Sequence, residues 1–367
     1  MQVFPILFKT TSSGRKQSWQ IFVRNNSYWT ETAMVGGKLI KSSPTLCEGK
    51  NIGRANSTNE FEQAFCEASA KWRKKKEEGF AELGETPKSY FKPMLALKYS
   101  DFKDELGFPC FCQPKLNGIR CILKQDGMWT RKGKPIVSCP HIFRQAKPLL
   151  EKHPYVILDG ELYNHELKDD FEQITSLVRK TKPTPADLKE TEAIIQYHVY
   201  DLPSYDKRFG RRSLMLAYLI KETGILPSIV TVDTIRVSNG KCLHQFHLDC
   251  LKKGYEGSMV RVDDFYQMDK RSPFLLKRKE FQDAEFPIVD ICEGKGNRAG
   301  MAGYMVLRLP NGDTFHSNIK SKHSKLKFLL ENRKRFIGKK ATCKFFQKTA
   351  KGVPLFPFVI DIDRKDL

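Results

Sequence analysis

The chain has 367 residues and a formal net charge of +21 at pH 7, from 63 Lys and Arg against 42 Asp and Glu. That length exceeds one simple core and predicts two or three domains, and the clustering of cations at 73–76, 320–327 and 333–335 points to a polyanionic partner, most often nucleic acid. No apolar run approaches a membrane span, the first residues lack a basic region followed by an apolar core, and the ten cysteines include no CxxC pair, which argues against a membrane protein, a secreted protein and a zinc ribbon or finger. Cys110, Cys112, Cys121, Cys292 and Cys343 sit inside apolar runs and read as reduced, buried thiols of an intracellular protein.

Residues 1–85 form a first unit. Segment 20–23 reads as a strand after the Ser12-Ser13-Gly14 turn, 28–32 as a second strand, and Gly36-Gly37 as a turn. A helix follows. Ser57 and Glu60 have capping-box spacing, while Phe61, Ala64, Phe65, Ala68 and Trp72 fall on one apolar face. Residues 74–76 load its last turn with lysine and Gly79 supplies the stop. That basic turn complements the helix dipole and equally offers Lys74 and Lys75 to a phosphate. The small sheet, the segment 50–54 and the helix resemble the WGR domains of some DNA-repair proteins, with Val35-Gly36-Gly37 nearest to the Trp-Gly-Arg signature. The resemblance implies an accessory module for DNA ends or nicks. Residues 84–93, with Gly84, Pro87 and Pro93, read as a linker.

From 93 to 283 short strands and helices mix. In the run 110–124, Asn117-Gly118 separates two strand-like stretches and predicts a hairpin, because both residues tolerate positive φ. Lys115 and Arg120 flank that turn, a placement that suits a nucleophile facing a phosphate. Taken alone, the stretch is more simply a surface hairpin carrying two cations. A buried-type strand at 155–158 runs into Asp159-Gly160-Glu161; 171–178 is helical and 182–185 breaks it; 194–202 is a strand; 213–223 is a helix ended by Gly224. Segment 228–237 is strand-rich, and 256–262 and 274–279 are further strands. From 284 the pattern changes to five strands, 288–292, 303–309, 314–316, 341–345 and 358–362, with a hairpin at Asn311-Gly312 and one helix at 325–332. That series suits a small barrel of OB type, a common nucleic-acid platform.

Lys115-x-Asn117-Gly118-x-Arg120 is weak by itself, but its followers come in a fixed order, each on a strand: Asp159-Gly160-Glu161, Tyr200-Asp201, Glu256-Gly257-x-Met259-Val260 and Leu276-Lys277-x-Lys279. As an ordered set they resemble the covalent nucleotidyltransferase superfamily, specifically the ATP-dependent DNA ligases, over residues 93–367. The resemblance implies an α+β multidomain fold. An ATP-grasp-like nucleotidyltransferase (adenylation) domain of antiparallel sheets at 86–283 would precede a C-terminal OB-fold β-barrel at 284–367, with the small α/β WGR-like DNA-binding domain at 1–85 in front.

The residue types fit that chemistry. An amine that attacks the α-phosphate of ATP must be neutral, and nearby cations lower its pKa, so Lys115 is the candidate nucleophile. Lys277 and Lys279, two apart on a strand, project from one face and with Arg120 and a metal would surround the phosphate; a lysine-guarded edge strand is the simpler reading of the pair alone. Glu161 and Glu256 lie beside glycines at strand ends, where carboxylates suit Mg²⁺ or a ribose hydroxyl, or merely terminate strands. The resemblance implies that Glu161 holds the ribose, that Glu256 helps bind metal, and that Tyr200 stacks on adenine within a pocket that includes Met259; as a lone aromatic, Tyr200 reads as core. Gln113 stands where many DNA ligases have glutamate near the adenine amino group, and its carbonyl oxygen can accept from that group. Asn117 stands where most have aspartate; it keeps the turn and removes a charge. Thr130-Arg131-Lys132-Gly133 resembles the segment whose arginine meets the 5′-phosphate at a nick, or else is a solvated hairpin. Arg364, in 356–365, resembles the basic residues that orient pyrophosphate. Lys320 and Lys322, in the basic run of the barrel, join Arg131, Lys132, Lys74 and Lys75 as expected DNA contacts.

The expectation is an ATP-dependent DNA ligase of compact viral or phage type. ATP is its substrate, Mg²⁺ its metal with Mn²⁺ as an alternative, nicked duplex DNA its partner, a monomer its state, and no membrane is involved. Its compartment would be the cytoplasm of a bacterial host if phage-encoded, and the nucleus or a viral factory if eukaryotic. An RNA ligase or mRNA-capping guanylyltransferase shares the lysine chemistry, and a non-catalytic DNA-binding scaffold shares the charge.

Overall fold

In the strand Lys16–Arg24, Trp19, Ile21 and Val23 are buried while Lys16 and Arg24 are exposed, the alternation of a sheet covered on one face. The structure, a computed structural model, describes residues 1–11, 13–86, 90–224, 226–349 and 351–363. The strand pairs with Ser27–Met34 at the centre of a six-stranded antiparallel sheet. The helix Glu60–Glu77 sets Ala64 and Ala68 against Trp19, Ile21 and Val23. Its capping box is formed by Asn59 and Glu62, not by Ser57 and Glu60. The Ser57 amide closes a turn on the Arg54 carbonyl, and Thr58 bridges to Lys50, so the helix does not begin until after Asn59. That register leaves Phe61 43% exposed, off the face where the apolar spacing had put it.

Five strands, Gln282–Glu293, Ala302–Arg308, Thr314–Ile319, Phe358–Ile362 and Lys340–Phe345, pair in that order into a closed barrel, in agreement with the OB-type expectation. The helix His323–Glu331 buries Leu326 and Leu329 in the barrel's core. The first strand begins six residues before its apolar pattern does, because 282–287, of which only Phe286 is buried, is held in the sheet by pairing with 340–345. The chain divides into two compact units, and Met1–Ser89 shares one of them with Phe281–Leu367. The two parts keep separate cores within that unit, and the Ser43 amide donates to Asn297 Oδ1 at 3.3 Å.

The other unit, Tyr90–Glu280, holds two five-stranded sheets. The first has the order Gly127–Thr130, Ile119–Lys124, Leu158–Tyr163, Gln196–Asp201, Ile229–Thr231; the second has Ile235–Val237, Cys110–Lys115, Gly257–Arg261, Arg271–Lys279, Leu95–Lys98. Both are mixed rather than wholly antiparallel, since one outermost pair in each is parallel. The helices Pro140–Lys152, Phe171–Val178 and Phe209–Thr223 build one core with the first sheet, and Gly240–Lys252 covers the second through Leu243. Three helices escape the sequence pattern. The first of them, Pro140–Lys152, runs unbroken through Pro148. Pro185 opens Pro185–Ile194 behind a Thr184 cap instead of breaking the preceding helix. The third is Gly240–Lys252, capped by Asn239.

Asn117-Gly118 is not a hairpin turn. Lys115 ends a strand of the second sheet and Ile119 begins a strand of the first, so the segment crosses between sheets, and neither residue has positive φ. Cys292 is half-buried rather than buried, and the described cysteines are free thiols. Among the described residues no helix is long and apolar enough to cross a membrane.

Candidate active site

Strand register assembles the site. In the second sheet, Gly257 pairs with both Lys115 and Lys279, and Met259 with both Gln113 and Lys277. Residues two apart on a strand share a face, so Lys115, Lys279, Gln113, Met259 and Lys277 point the same way. Gly257 is required between the two lysines: its φ is +148° and a Cβ would stand 2.2 Å from the Arg278 carbonyl oxygen. The first sheet presents Arg120, Glu161 and Tyr200 toward this face. Together with Leu95, Ala96, Pro114, Leu116, Arg131, Arg261, Arg271 and Leu275 they line an open cavity of about 260 Å³.

Glu256 is the electrostatic centre. Its side chain is 7% exposed, and its carboxylate accepts from the Lys115 ammonium on one oxygen and from Lys279 Nζ at 3.2 Å on the other. Burial, with Lys279, Arg271 and Lys115 nearby, holds the Lys277 ammonium below the usual lysine value. Glu161 lies opposite. Burial pushes its carboxyl up to about 7 against the opposing pull of Lys115 and Arg120, and the Tyr200 hydroxyl donates to it at 3.4 Å. Two hard carboxylates suit a Mg²⁺ ion that takes its remaining oxygens from phosphates and water. Among the described residues no group of three or more His, Cys, Asp or Glu is placed to hold a metal without them.

Arg120 is largely committed. It makes a forked pair with Asp159 (Nε to Oδ1 2.8 Å, Nη2 to Oδ2 2.5 Å) and donates through Nη1 to the Met94 carbonyl at 2.8 Å. The Asn117 amide nitrogen is buried without a hydrogen-bond partner. Arg131 lines the cavity and Lys132 stands exposed beside it. The remaining expected DNA contacts belong to the other unit. There Lys74 is exposed, Lys75 is paired with Glu78 at 2.9 Å and packs over Phe80, Lys320 lies over the Phe358 ring, and Lys322 is exposed before the helix His323–Glu331. Arg364 lies outside the described residues.

Sequence reasoning missed the cavity's buried support. Asp201, fully buried, accepts from Arg212 Nε at 2.7 Å and from Arg261 Nη1 at 2.6 Å, and the two arginines hold its carboxyl below the usual range against the opposing effect of burial. Arg261 Nε in turn donates to Gln113 Oε1 at 2.8 Å. The signal was an arginine inside the apolar run Val260-Arg261-Val262, two residues from Met259 and therefore on the cavity side.

A family model described as ATP dependent DNA ligase domain matches residues 93–279. A DNA ligase of African swine fever virus (isolate Tick/Malawi/Lil 20-1/1983) is 26% identical over 400 residues, covering 96% of this chain and 92% of that one. A DNA ligase of Nanoarchaeum equitans is 25% identical over 232 residues, covering 57% of this chain and 40% of its own length. Among solved structures, one titled "DNA binding with a minimal scaffold: Structure-function analysis of Lig E DNA ligases" superposes with a TM-score of 0.63 at 25% identity, over 75% of this chain and 100% of that one.

Proposed function

The chain belongs to the ATP-dependent DNA ligases, enzymes that seal nicks in duplex DNA, and we propose that Lys115 is the nucleophile that carries AMP. The observation that carries this reading is the convergence of Lys115, Lys277, Glu161 and Tyr200 on one cavity, with the Glu256 carboxylate held between Lys115 and Lys279. Lys115 Nζ attacks the α-phosphorus of ATP, a phosphorus–nitrogen bond forms, and pyrophosphate leaves with the electron pair of the broken P–O bond. The 5′-phosphate at a nick then displaces Lys115 from AMP. Finally the 3′-hydroxyl attacks the adenylylated phosphate, giving the phosphodiester and free AMP.

Lys277 and Lys279 stabilise the charge that develops on the transferring phosphoryl oxygens. Glu161 faces the ribose and Tyr200 the base, with Met259 and Gln113 completing the pocket. Arg120, tied to Asp159, orients rather than moves. Glu256 and Glu161 would hold Mg²⁺, or Mn²⁺ in its place, which when bound supplies Lewis-acid neutralisation of phosphate charge. Arg131 and Lys132 receive the 5′-phosphate of the nick, and Arg364 orients pyrophosphate. Lys74, Lys75, Lys320 and Lys322 contact the DNA backbone, and residues 1–85 serve as an accessory DNA-binding module. The protein works as a monomer in an intracellular compartment. Backbone contacts predict binding that is independent of sequence and weakens steeply with salt.

The test is sealing of a nicked duplex with ATP, set beside GTP and beside single-stranded RNA ends. ATP-dependent joining of the nick is the expected result. Joining of RNA ends in preference to the nick, or covalent capture of GMP in preference to AMP, would overturn the reading.

A further inference from the structure

Gln113 is 2% exposed, yet it lines the cavity, and its hydrogen bonds are nearly exhausted by the protein. Nε2 donates to the Tyr200 carbonyl at 3.0 Å and to Thr234 Oγ1 at 2.9 Å, which uses both amide hydrogens. Oε1 accepts from Arg261 Nε at 2.8 Å. The one uncommitted capacity is the second lone pair of Oε1, an acceptor. The orientation is enforced twice, since a guanidinium can only donate and a backbone carbonyl can only accept. Turning the amide over would set oxygen against oxygen at Tyr200 and N–H against N–H at Arg261. Arg261 is fixed in its own turn by Asp201 at 2.6 Å, and Asp201 is held by Arg212.

We infer that Arg261, held by Asp201, is a positioning residue for base selection: it locks the Gln113 carboxamide with only an acceptor to offer, so the cavity takes a purine with an amino group at C6 and refuses one with a carbonyl there. The inference rests on the reading of this cavity as the ATP site with Gln113 beside the base. It adds the reason why a glutamine, which in general offers both hydrogen-bonding senses, acts here as an acceptor. A carbonyl oxygen facing Oε1 would itself be a buried acceptor without a donor, set against a second oxygen, the kind of mismatch that a binding site rejects strongly.

The experiment measures covalent lysyl-nucleotide formation by the full chain with four triphosphates: adenosine, guanosine, inosine, and the purine riboside that has hydrogen at C6. The expected order for the natural protein is adenosine first, purine riboside second, and inosine and guanosine below it, because hydrogen at C6 forfeits a bond whereas oxygen meets an acceptor. Inosine triphosphate reacting as well as the purine riboside would overturn the inference, since it would mean that the amide turns freely. The variant Arg261→Met removes the donor to Oε1 while Asp201 keeps Arg212 as its partner. Its preference for adenosine over inosine triphosphate should fall about tenfold, the worth of one charge-assisted hydrogen bond. A folded variant with unchanged preference would overturn the inference by itself. A natural protein that captures no nucleotide at all would refute the reading of the cavity, and the inference with it, and is thereby distinct from an adenylylating protein with the wrong base order.

Discussion

Gly118 packs so closely against Leu162 that a Cβ on it would lie 2.3 Å from the Leu162 carbonyl oxygen, and 2.8 Å from Glu161 Cγ. The glycine is there for proximity and not for a left-handed turn, because its φ is not positive. It lets the crossover that follows Lys115 press against the strand that carries Glu161.

Gly118→Ala should therefore displace both Lys115 and Glu161. A misplacement near 1 Å costs on the order of 100-fold in rate. The stability cost of overpacking is about 1–3 kcal/mol. Single-turnover formation of the covalent adenylate, together with a thermal melt, checks both; an unchanged rate would mean that the close approach is not needed.

Asp201→Ala would leave the Arg212 and Arg261 guanidiniums buried without their carboxylate. Removing one partner of a buried ion pair costs about 3–5 kcal/mol. The midpoint of denaturant unfolding should fall accordingly, and a shift worth less than about 1 kcal/mol, the level of an exposed pair, would contradict the role given to this network.

Burial, with His165 nearby, holds the His198 imidazole down at about 4 from the ordinary 6.5. Between those values the unfolded chain binds a proton that the folded chain refuses, so the stability that His198 contributes is complete above pH 6.5 and is lost as the pH falls toward 4. The full loss is on the order of 3 kcal/mol. Unfolding of the natural chain and of His198→Gln, compared at pH 7 and pH 4.5, should show the variant losing less on acidification.

Arg131→Ala should separate the steps. Lysyl-AMP formation should fall less than the later step, because Arg131 lines the cavity but is assigned to the nick, while transfer of AMP to the 5′-phosphate falls roughly 10- to 100-fold on losing a charge-assisted hydrogen bond. Rapid-quench separation of the enzyme adenylate from the DNA adenylate makes the measurement.

The sequence made the barrel strands legible through apolar alternation, and the site lysines and glutamates through the order of their strands. It misassigned Asn117-Gly118 because a glycine needed for close approach looks the same, one residue at a time, as a glycine needed for a turn. It read Pro185 as a break because proline ends one helix and begins the next with equal ease. Arg261, on an apolar strand, and Arg212, on the helix Phe209–Thr223, were passed over because a charged residue reads as exposed until its partner, 60 or 11 residues away, is brought beside it.

The central claim is that Lys115 carries the nucleotide, and covalent labelling tests it most directly. The chain is incubated with ATP labelled at the α-phosphate, denatured, and digested for mass analysis. Label on Lys115, released by added pyrophosphate and lost in Lys115→Ala together with nick sealing, is the predicted result. Label at another residue, or nick sealing that survives Lys115→Ala, would contradict it.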